Sequence, residues 1–561
     1  MLLAFYDNES EIFEEAIRLP KGYIAPEVFD DLTKTPLNIN TADYDELISL
    51  PYITPIAAKA ILDYRQTNGK FKNLNELLLI KEISEDCLEK IKPFLTVKGE
   101  TTRPKKMFRV RAKCDSLIFP SNYQEWALTN RIGADYGKFR LVFLTDKDQK
   151  ESNLFDFWTG SIAYTSENNQ IIVGSYYLAF GQGLIMAEPF QNFTTAKSFG
   201  GLKNKPLNQL TTPLENNALN GLAYQKTLSN FQLTGYLSRN WLDAEIDSAG
   251  IVQRIDYDGR HIDSLTKANK DRLREDLLGI RCEYRSAKWQ LGWSGCRNHY
   301  NHRFVPTDST NSFFGDQLTI LGVDGTGILG NYYCQGEWAY SLKCGFGFAF
   351  GLVGDWQKIK VGLNLVYQQR DFYSPHSYSY SLLAKKDRLG GNFNFQYHFS
   401  RSQVFFRGAT KINIIGDSLP AKIETGLKRK EGNWDIALSY KRTLKNDIGK
   451  SEGTKLDLGY DLTKRVYLGF RLEDRYLIAK PKRGILLGLS SDFSFGGFVY
   501  KSRIYWFEII KPDCPIFVYE PGFSGLANNH TFMKRGVRFY SFWGYNRKPF
   551  RIGLRIGVTR T

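Results

Sequence analysis

His299 and His302 stand three residues apart in a chain that has only six histidines. On a helix, this spacing would allow both imidazole rings to ligate one metal ion. No carboxylate or cysteine constellation accompanies them, and the seven cysteines include no C-x-x-C pair. Histidines near a loop are the simpler interpretation, so the sequence predicts no metal site and no cofactor.

Serine and aspartate are plentiful, but the chain has no Gly-x-Ser-x-Gly elbow with a partner histidine. With so few histidines, the sequence also offers no serine–histidine pair of the type that outer-membrane lipases use. We therefore expect a protein without catalytic residues, that is, one that is not an enzyme.

Gly181 and Gly183 flank Gln182 after the strand-like run 171–177. Closely spaced glycines can turn successive backbone N–H groups toward an anion, which would make this segment a phosphate-binding nest. The helix that follows such a loop in nucleotide-binding proteins is missing from the sequence pattern. A bend or bulge in a sheet is therefore the favoured interpretation.

Charge is unevenly distributed along the chain. The formal net charge is +16, but residues 1–97 sum to −7, so that residues 98–561 carry +23. Basic side chains repeated on one face of a sheet would attract polyanions such as lipopolysaccharide phosphates, acidic glycans or DNA. The asymmetry indicates two regions with different surroundings and partners.

Secondary structure must position these groups, and the pattern of apolar residues changes after residue 106. Its period falls from about 3.6 residues, typical of a helix, to about 2, typical of a strand. In the last run of the chain, Phe550, Ile552 and Leu554 share one face of a strand, whereas Arg551 and Arg555 share the other. The chain is also rich in tyrosine (32) and phenylalanine (39), which suits aromatic-rich strands with one polar face.

Turns and connections along this region differ in length. Short turns such as 431–433 and 463–465 are interleaved with long polar connections around 187–219, 242–275 and 300–330. Short turns on one rim and long loops on the other are the habit of outer-membrane barrels. We therefore predict that residues 107–561 form a large antiparallel transmembrane β-barrel of roughly 16–20 strands.

A soluble or surface-bound β-rich protein, either a glycan binder or a hydrolase, is the alternative from another class. Strand alternation alone describes such a protein equally well, and the helical region would then serve protein interaction. No stretch of the sequence approaches the ~18 uninterrupted apolar residues that a spanning helix needs.

The N-terminal region has a different pattern. Residues 1–34 are predicted to be an acidic helical segment, and their apolar opening is interpreted as the tail of a lost secretory signal. Residues 35–97 have the apolar periodicity of helices, with residue types that cap a helix start and a glycine that ends a helix. Residues 98–106 are polar and punctuated by proline, which is typical of a linker.

A set of apolar, cap and hairpin residues recurs through the helical region. The set is Leu37-Asn-Ile-Asn-Thr-Ala-Asp43, Glu46-Leu47, Leu50-Pro51, Ala57-Ala58, Ile61, Tyr64-Arg65, Gly69, Phe71 and Glu76-Leu77. Over about sixty residues, this pattern resembles the tandem helix-hairpin-helix domain of competence-type DNA receptors. With its C-terminal barrel, the whole chain is similar to uncharacterised bacterial outer-membrane proteins that carry an N-terminal helix-hairpin-helix domain.

Both hairpins depart from the pattern of the DNA-binding members. In those members, two hairpin glycines let backbone amides approach a phosphate at a helix start. Here Tyr52 and Thr54 replace the glycines of the first hairpin, and Glu82 and Ser84 replace those of the second. The resemblance implies that any contact with double-stranded DNA is made at Tyr52, Ile53, Thr54, Lys59, Lys81, Ile83 and Ser84.

The same residues have a structural interpretation. Ile53 and Ile83 suit a hairpin core, and the lysines suit a solvated surface. Residues 37–97 hold seven basic and nine acidic side chains, so the electrostatic attraction that dominates nonspecific DNA affinity is weak. A module of this kind would then contact a periplasmic protein or the rim of the barrel.

The function predicted from the sequence is that of a non-enzymatic barrel in the bacterial outer membrane. Its helix-hairpin-helix module would lie in the periplasm and dock a partner, either a protein or DNA. The assembly would serve transport or envelope organisation, and DNA uptake is included among its roles if the hairpins are active. Outer-membrane lipid and polyanions such as lipopolysaccharide are the partners expected at the basic barrel.

Overall fold

The structure is a computed structural model of the full chain. It describes residues 36–48, 50, 53–97, 106–114, 122–187, 205–213, 215–216, 218–257, 259–286, 288–306, 313–356, 358–377, 388–413, 421–444, 451–478, 482–510, 514–522, 528–547 and 550–561. The predicted acidic segment 1–34 lies outside these residues, as does the predicted linker apart from Lys106. In the described part of the chain, no helix is long and apolar enough to cross a membrane.

Short helices build the N-terminal module. Local sequence sets their ends: Thr54 caps the second helix, whose first residue is Pro55, and Gly69 ends it with a φ of +82°. The module contains α1 (Tyr44–Ile48), α2 (Pro55–Asn68), α3 (Glu85–Ile91), the 3₁₀ turns Leu74–Leu79 and Lys92–Phe94, and the parallel pair β1 (Leu37–Asn38) and β2 (Leu95–Thr96).

The module has an apolar core of its own. Ile61 and Leu77 are fully buried there, and Tyr64 stacks on Phe71 with the ring centroids 4.8 Å apart. Asn40 joins the two ends of the module, because its side-chain amide donates to the backbone oxygens of Phe71 and Val97. Core and hydrogen bonds together account for the helical fold that the cap and glycine signals predict.

A large antiparallel sheet follows the module. Its first strands are β3 (Lys106–Cys114), β4 (Trp126–Tyr136), β5 (Phe139–Lys147), β6 (Phe157–Thr165), β7 (Asn169–Ala179), β8 (Lys205–Gln209), β9 (Leu219–Leu228), β10 (Phe231–Leu242), β11 (Ala244–Ile246), β12 (Ile251–Ile255), β13 (Leu273–Arg285), β14 (Trp289–Phe304), β15 (Gly315–Leu329) and β16 (Tyr332–Ser341). Two short helices lie between them, the 3₁₀ turn Tyr123–Glu125 and α4 (Ser264–Ala268).

The remaining strands continue the same meander. They are β17 (Gly345–Trp356), β18 (Ile359–Gln368), β19 (Arg388–Phe399), β20 (Ser402–Asn413), β21 (Ala421–Glu431), β22 (Trp434–Leu444), β23 (Ser451–Thr463), β24 (Val466–Leu477), β25 (Lys482–Phe495), β26 (Phe498–Ile509), β27 (Ile516–Glu520), β28 (Asn528–Phe532), β29 (Gly536–Arg547) and β30 (Phe550–Arg560). All strands from β3 onward belong to the barrel sheet except β27 and β28, which pair with each other.

The predicted fold class, a small helical module followed by a large antiparallel β-barrel, is confirmed. The predicted strand number of 16–20 was too low, because the sheet has 26 strands among the described residues. Two of its short strands, β11 and β12, lie within the predicted connection 242–275. The predicted connection 300–330 is wrong over residues 300–304, which end β14, and over residues 315–329, which form β15. Polar side chains such as Asp324 point into the barrel there, and polarity alone does not indicate a loop.

The two ends of the barrel differ. Turns of a few residues, including 137–138, 229–230, 330–331, 432–433 and 464–465, connect hairpins at one end, which we call the short-turn rim. The connections at the other end, including 148–156, 180–218 and 243–272, are much longer and define the long-loop rim. This asymmetry matches the predicted barrel type.

Aromatic pairs surround the short-turn rim. They join neighbouring strands next to the turns, as in Phe139–Tyr164, Phe231–Tyr284, Tyr332–Trp356, Trp434–Tyr460 and Phe498–Tyr545. Above them, outward positions carry exposed apolar side chains, whereas inward positions of the same strands are buried or half-buried. An aromatic girdle beside an apolar band is the outer surface of a membrane-spanning barrel, and it disfavours the soluble alternative.

Parts of two long connections fold into the barrel. Phe180, Leu184 and Ile185, which follow β7, belong to the apolar cluster on the inner wall. The β27–β28 hairpin packs Ile516 and Val518 against inward residues of β25 and β26. The interior is therefore partly filled by loops from the long-loop rim.

Ile280 tests the lipid-facing surface. It points outward midway along β13, between Tyr284 at the aromatic girdle and Asp276 near the long-loop rim, and 63% of it is exposed. We expect Ile280→Arg to lower the free energy of unfolding in lipid vesicles by about 2–4 kcal/mol, because a charge is costly near the bilayer midplane. Tryptophan fluorescence during urea unfolding measures the change. Ile280→Leu is the control, and equal stability of the two variants would contradict a lipid-facing position.

Candidate functional site at the mouth of the barrel

The first hairpin of the helical module contacts the barrel directly. The Thr54 hydroxyl accepts a hydrogen bond from the backbone N–H of Ala57 (3.1 Å) and donates one to Oδ2 of Asp355 (2.6 Å). Asp355 lies at the end of β17, is 1% exposed, and also pairs with Lys360 at 3.3 Å. One hydroxyl thus caps α2 and attaches it to the barrel.

An apolar contact surrounds this hydrogen bond. Ile56, the second residue of α2, packs in a cluster with Ile328, Tyr333 and Val353, and Tyr44 of α1 covers its edge. The three barrel residues are buried inward positions of β15, β16 and β17 beside the turns of the short-turn rim. The module therefore docks on the inner wall at the barrel mouth, as one of the sequence interpretations proposed.

Docking changes the surroundings of the first predicted DNA-contact site. Thr54 is 3% exposed and faces a carboxylate, and Ile53 is buried in the module core. Tyr52 lies outside the described residues. Lys59 forms an ion pair with Asp63 at 3.0 Å on the surface of α2. In this arrangement, barrel residues occupy the place where a phosphate would approach the hairpin.

The second predicted hairpin remains at the surface of the module. Lys81 is exposed, whereas Ile83 is buried in the module core. Ser84 is the N-cap of α3, and its hydroxyl accepts a hydrogen bond from the N–H of Cys87 at 3.1 Å. The structure therefore separates the predicted site residues, since only those of the second hairpin lie away from the barrel contact.

A second polar site lies among the loops of the long-loop rim. His261 donates from Nε2 to Asp243 (3.0 Å) and from Nδ1 to Asp156, which also pairs with Lys270 at 3.0 Å. Burial alone would lower the pKa of His261, but the bonds to the two carboxylates outweigh burial and raise the pKa to about 10. The imidazole is consequently a cation at neutral pH.

Two further carboxylates complete this site. Glu151 accepts a hydrogen bond from the backbone N–H of His261 at 2.9 Å. Burial, assisted by the charge of Asp243, raises the pKa of Glu215 to about 8. The site links the connection 148–156 to residues 215–216 and to the connection 243–272, and so fixes three loops to one another.

Two groups in this site have donor atoms close enough to hold a metal ion. They are Glu151, Asp156 and His261, and Glu215, Asp243 and His261. Both groups need a neutral imidazole, but each ring nitrogen of His261 already bonds to a carboxylate. The residues as arranged therefore fit a loop anchor better than a metal site. Sequence spacing could not reveal this histidine–carboxylate site, because its residues come from separate connections.

The predicted histidine pair has no common ligand position. His299 and His302 lie within β14 and not in a loop, and three residues of strand place their side chains on opposite faces. His299 faces outward beside Asp276 at 3.9 Å, whereas Nδ1 of His302 lies 3.2 Å from the backbone oxygen of Gly250.

The Gly181–Gly183 segment forms a nest that a side chain of the same chain occupies. Both glycines have positive φ, +59° and +78°, and the N–H groups of Gln182 and Leu184 donate to Oε2 of Glu337 on β16. A carboxylate thus sits where a phosphate would bind. The segment is the anchor of the loop that enters the barrel, and not a bulge within a strand.

Comparison with known proteins separates the two regions. Residues 33–96 match the family described as "Helix-hairpin-helix motif". The chain is 40% identical over 62 residues to ComE operon protein 1 of Bacillus subtilis, covering 11% of this chain and 30% of that protein. It is 41% identical over 56 residues to the human endonuclease/exonuclease/phosphatase family domain-containing protein 1, covering 10% of each. The likeness to these relatives is therefore confined to the module.

Solved structures resemble the barrel only distantly. A ferric enterobactin receptor mutant from Pseudomonas aeruginosa aligns over 71% of this chain and 74% of its own, with 8% identity and a TM-score of 0.38. The siderophore receptor PirA from Acinetobacter baumannii gives 8% identity and a TM-score of 0.35 over 71% and 75%. Scores this low carry no inference about activity. The fold itself defines the class, a helix-hairpin-helix module joined to a barrel of the outer-membrane type.

The charge on His261 predicts how loop anchoring depends on pH. Its folded pKa is above the ordinary value of about 6.5, so its contribution is complete below pH 6.5 and is lost as the pH rises toward 10. The raised pKa of Glu215 acts in the same direction. We expect trypsin to cleave the 256–272 connection faster at pH 9.5 than at pH 7, after correction for trypsin activity.

His261→Gln supplies the test of this assignment. The amide cannot carry a charge, so we expect faster cleavage at pH 7 and a smaller increase with pH. His299→Gln is the matched control, because that histidine faces outward on β14, beside Asp276 of β13 and not beside the loop carboxylates. Identical pH profiles for the wild type and His261→Gln would show that the imidazolium does not hold the loops.

Proposed function

We propose that this protein is a non-enzymatic outer-membrane barrel whose helix-hairpin-helix module occupies the periplasmic mouth and controls access to the lumen, so that the assembly serves transport. The observation that supports this proposal is the contact between the first hairpin and the inner wall of the barrel. Thr54 donates a hydrogen bond to Asp355, and Ile56 packs on Val353. A surface module with no role in the lumen would not need its hairpin in that position.

Orientation supports the periplasmic placement. Outer-membrane barrels have short turns on the periplasmic side and long loops outside the cell. The module lies at the short-turn rim, where Tyr333 and Val353 contact it. The carboxylate–histidine anchor and the segments that fold into the lumen then belong to the outer side.

Charged side chains of both signs line the lumen. Inward positions of β21 to β24 carry Lys441 opposite Glu424, Lys455 opposite Glu473, and Arg471 opposite Asp457. A wall of this composition suits hydrophilic solutes and does not select one sign of charge. The module would sit at the exit of this hydrophilic passage.

Ile56 allows the docking to be changed without disturbing the module core, since it packs on the barrel cluster. We expect Ile56→Asp to release the module and increase the ion conductance of the barrel in planar bilayers, because the buried contact cannot accept a charge. Leu79→Asp is the matched control, since this module residue is already 68% exposed.

A cross-link gives the reciprocal test. Ile56→Cys combined with Val353→Cys should form a disulfide under mild oxidation in intact outer membranes, and the linked barrel should keep a low conductance that reduction relieves. Leu79→Cys with Val353→Cys should not link. Failure of the first pair to link, or equal conductance of Ile56→Asp and the wild type, would refute control of the lumen by the module.

Duplex DNA binding is a second candidate, favoured by the family match at 33–96 and by the exposed Lys81. We expect the full chain in detergent to bind a labelled duplex weakly, with an affinity that falls as salt rises. Fluorescence anisotropy should show the loss of this binding in Lys81→Glu and its retention in the control Lys70→Glu. Absence of binding at low salt would remove the candidate.

A further inference from the structure

A cluster of polar side chains on β10, β13 and β14 interrupts the outward apolar surface near the long-loop rim. On β10, the outward Leu237 is followed on the same face by Arg239 and then by Trp241. On β14, the outward Trp293 is followed on the same face by Gly295 and then by Arg297. Strand pairing places Arg297 level with Leu278 and Leu237, and the next outward positions on the three strands are His299, Asp276 and Arg239.

Guanidinium groups dominate this cluster. Arg239 lies opposite Asp276 and bonds to it at 2.5 Å, and Arg274 reaches the same carboxylate at 3.2 Å. Arg297 donates to Gln317 of the next strand, and His299 stands 3.9 Å from Asp276. Two guanidinium groups therefore share one carboxylate, and with Arg297 the cluster keeps a net positive charge.

The cluster lines an open cleft on the outside of the wall. Asn220, Leu237, Arg239, Leu278, Arg297 and His299 are among its lining residues. The lower lining is apolar and the upper lining is basic, and 65% of the Arg239 side chain is exposed. A ligand that fits this lining has acyl chains beside an anionic head group.

We propose that this cleft binds the phosphate groups of lipopolysaccharide in the outer leaflet, with Arg239 and Arg297 as the phosphate contacts and Leu237 and Leu278 against the acyl chains. The inference deepens the proposed function, since it requires the long-loop rim to face the cell exterior. Arginine suits the site because its planar fork donates two hydrogen bonds to a phosphate. Asp276 holds Arg239 and Arg274 in position.

Orientation supplies an independent argument. The aromatic girdle marks the lipid boundary at the short-turn rim, and the apolar band of an outer-membrane barrel is about 25 Å tall. On β13, outward residues run from Tyr284 at the girdle through Ile280 and Leu278 to Asp276 and Arg274. The basic cluster thus stands where the apolar band ends, at the level of lipid head groups.

The experiment measures binding of fluorescent lipopolysaccharide to the purified full chain in detergent. We expect the Arg239→Gln, Arg297→Gln double variant to lose at least tenfold in affinity for phosphorylated lipid A and to bind dephosphorylated lipid A as weakly as the wild type does. Arg429→Gln is the matched control, because that exposed arginine lies at the short-turn rim beside Glu431. Arg297→Lys should retain most of the affinity.

The outcomes separate the site from the proposed function. Unchanged affinity in the double variant, or an equal loss in Arg429→Gln, would overturn the site while leaving the barrel and its docked module intact. Failure of the wild type to fractionate with outer membranes would instead overturn the location on which both rest. A loss restricted to the double variant and to phosphorylated lipid would support the proposal.

Discussion

The architecture depends on one constraint: a strand in hydrocarbon must satisfy every backbone N–H and C=O group through its neighbours. The barrel meets this constraint because consecutive long strands pair with each other along their length. Residues 275–285 of β13, for example, pair with β14 without a break in register. Side chains then alternate between lipid and lumen, and the two faces can carry different chemistry. The docked module and the loops in the lumen contact the inner face, and the basic cluster of β10, β13 and β14 lies on the outer face.

Period and turn chemistry are local properties, and they predicted the helical module and the antiparallel barrel from residues such as Thr54, Gly69 and the alternating run at 550–558. The strand number was harder to predict, because an inward position tolerates Asp324 or Gly322 as readily as leucine, so that β15 resembled a polar loop. Contacts between distant segments left no local signal. Neither the bond of Thr54 to Asp355 nor the meeting of His261 with Asp156 could be derived from spacing.

The structure explains what the threonine that replaces a glycine in the first hairpin does. A glycine at position 54 would neither cap α2 through a side chain nor donate to Asp355, and the threonine does both. The sequence change that weakens a phosphate site is therefore the change that creates a protein contact. Ser84 serves only as a cap, because no barrel residue meets it among the contacts described.

The β16–β17 hairpin is contacted by two separate parts of the chain. The backbone amides of the loop that enters from the long-loop rim donate to its Glu337, and the module at the short-turn rim contacts its Tyr333, Val353 and Asp355. The loop in the lumen and the docked module therefore rest on the same pair of strands. Any coupling between the two contacts would be reciprocal in free energy.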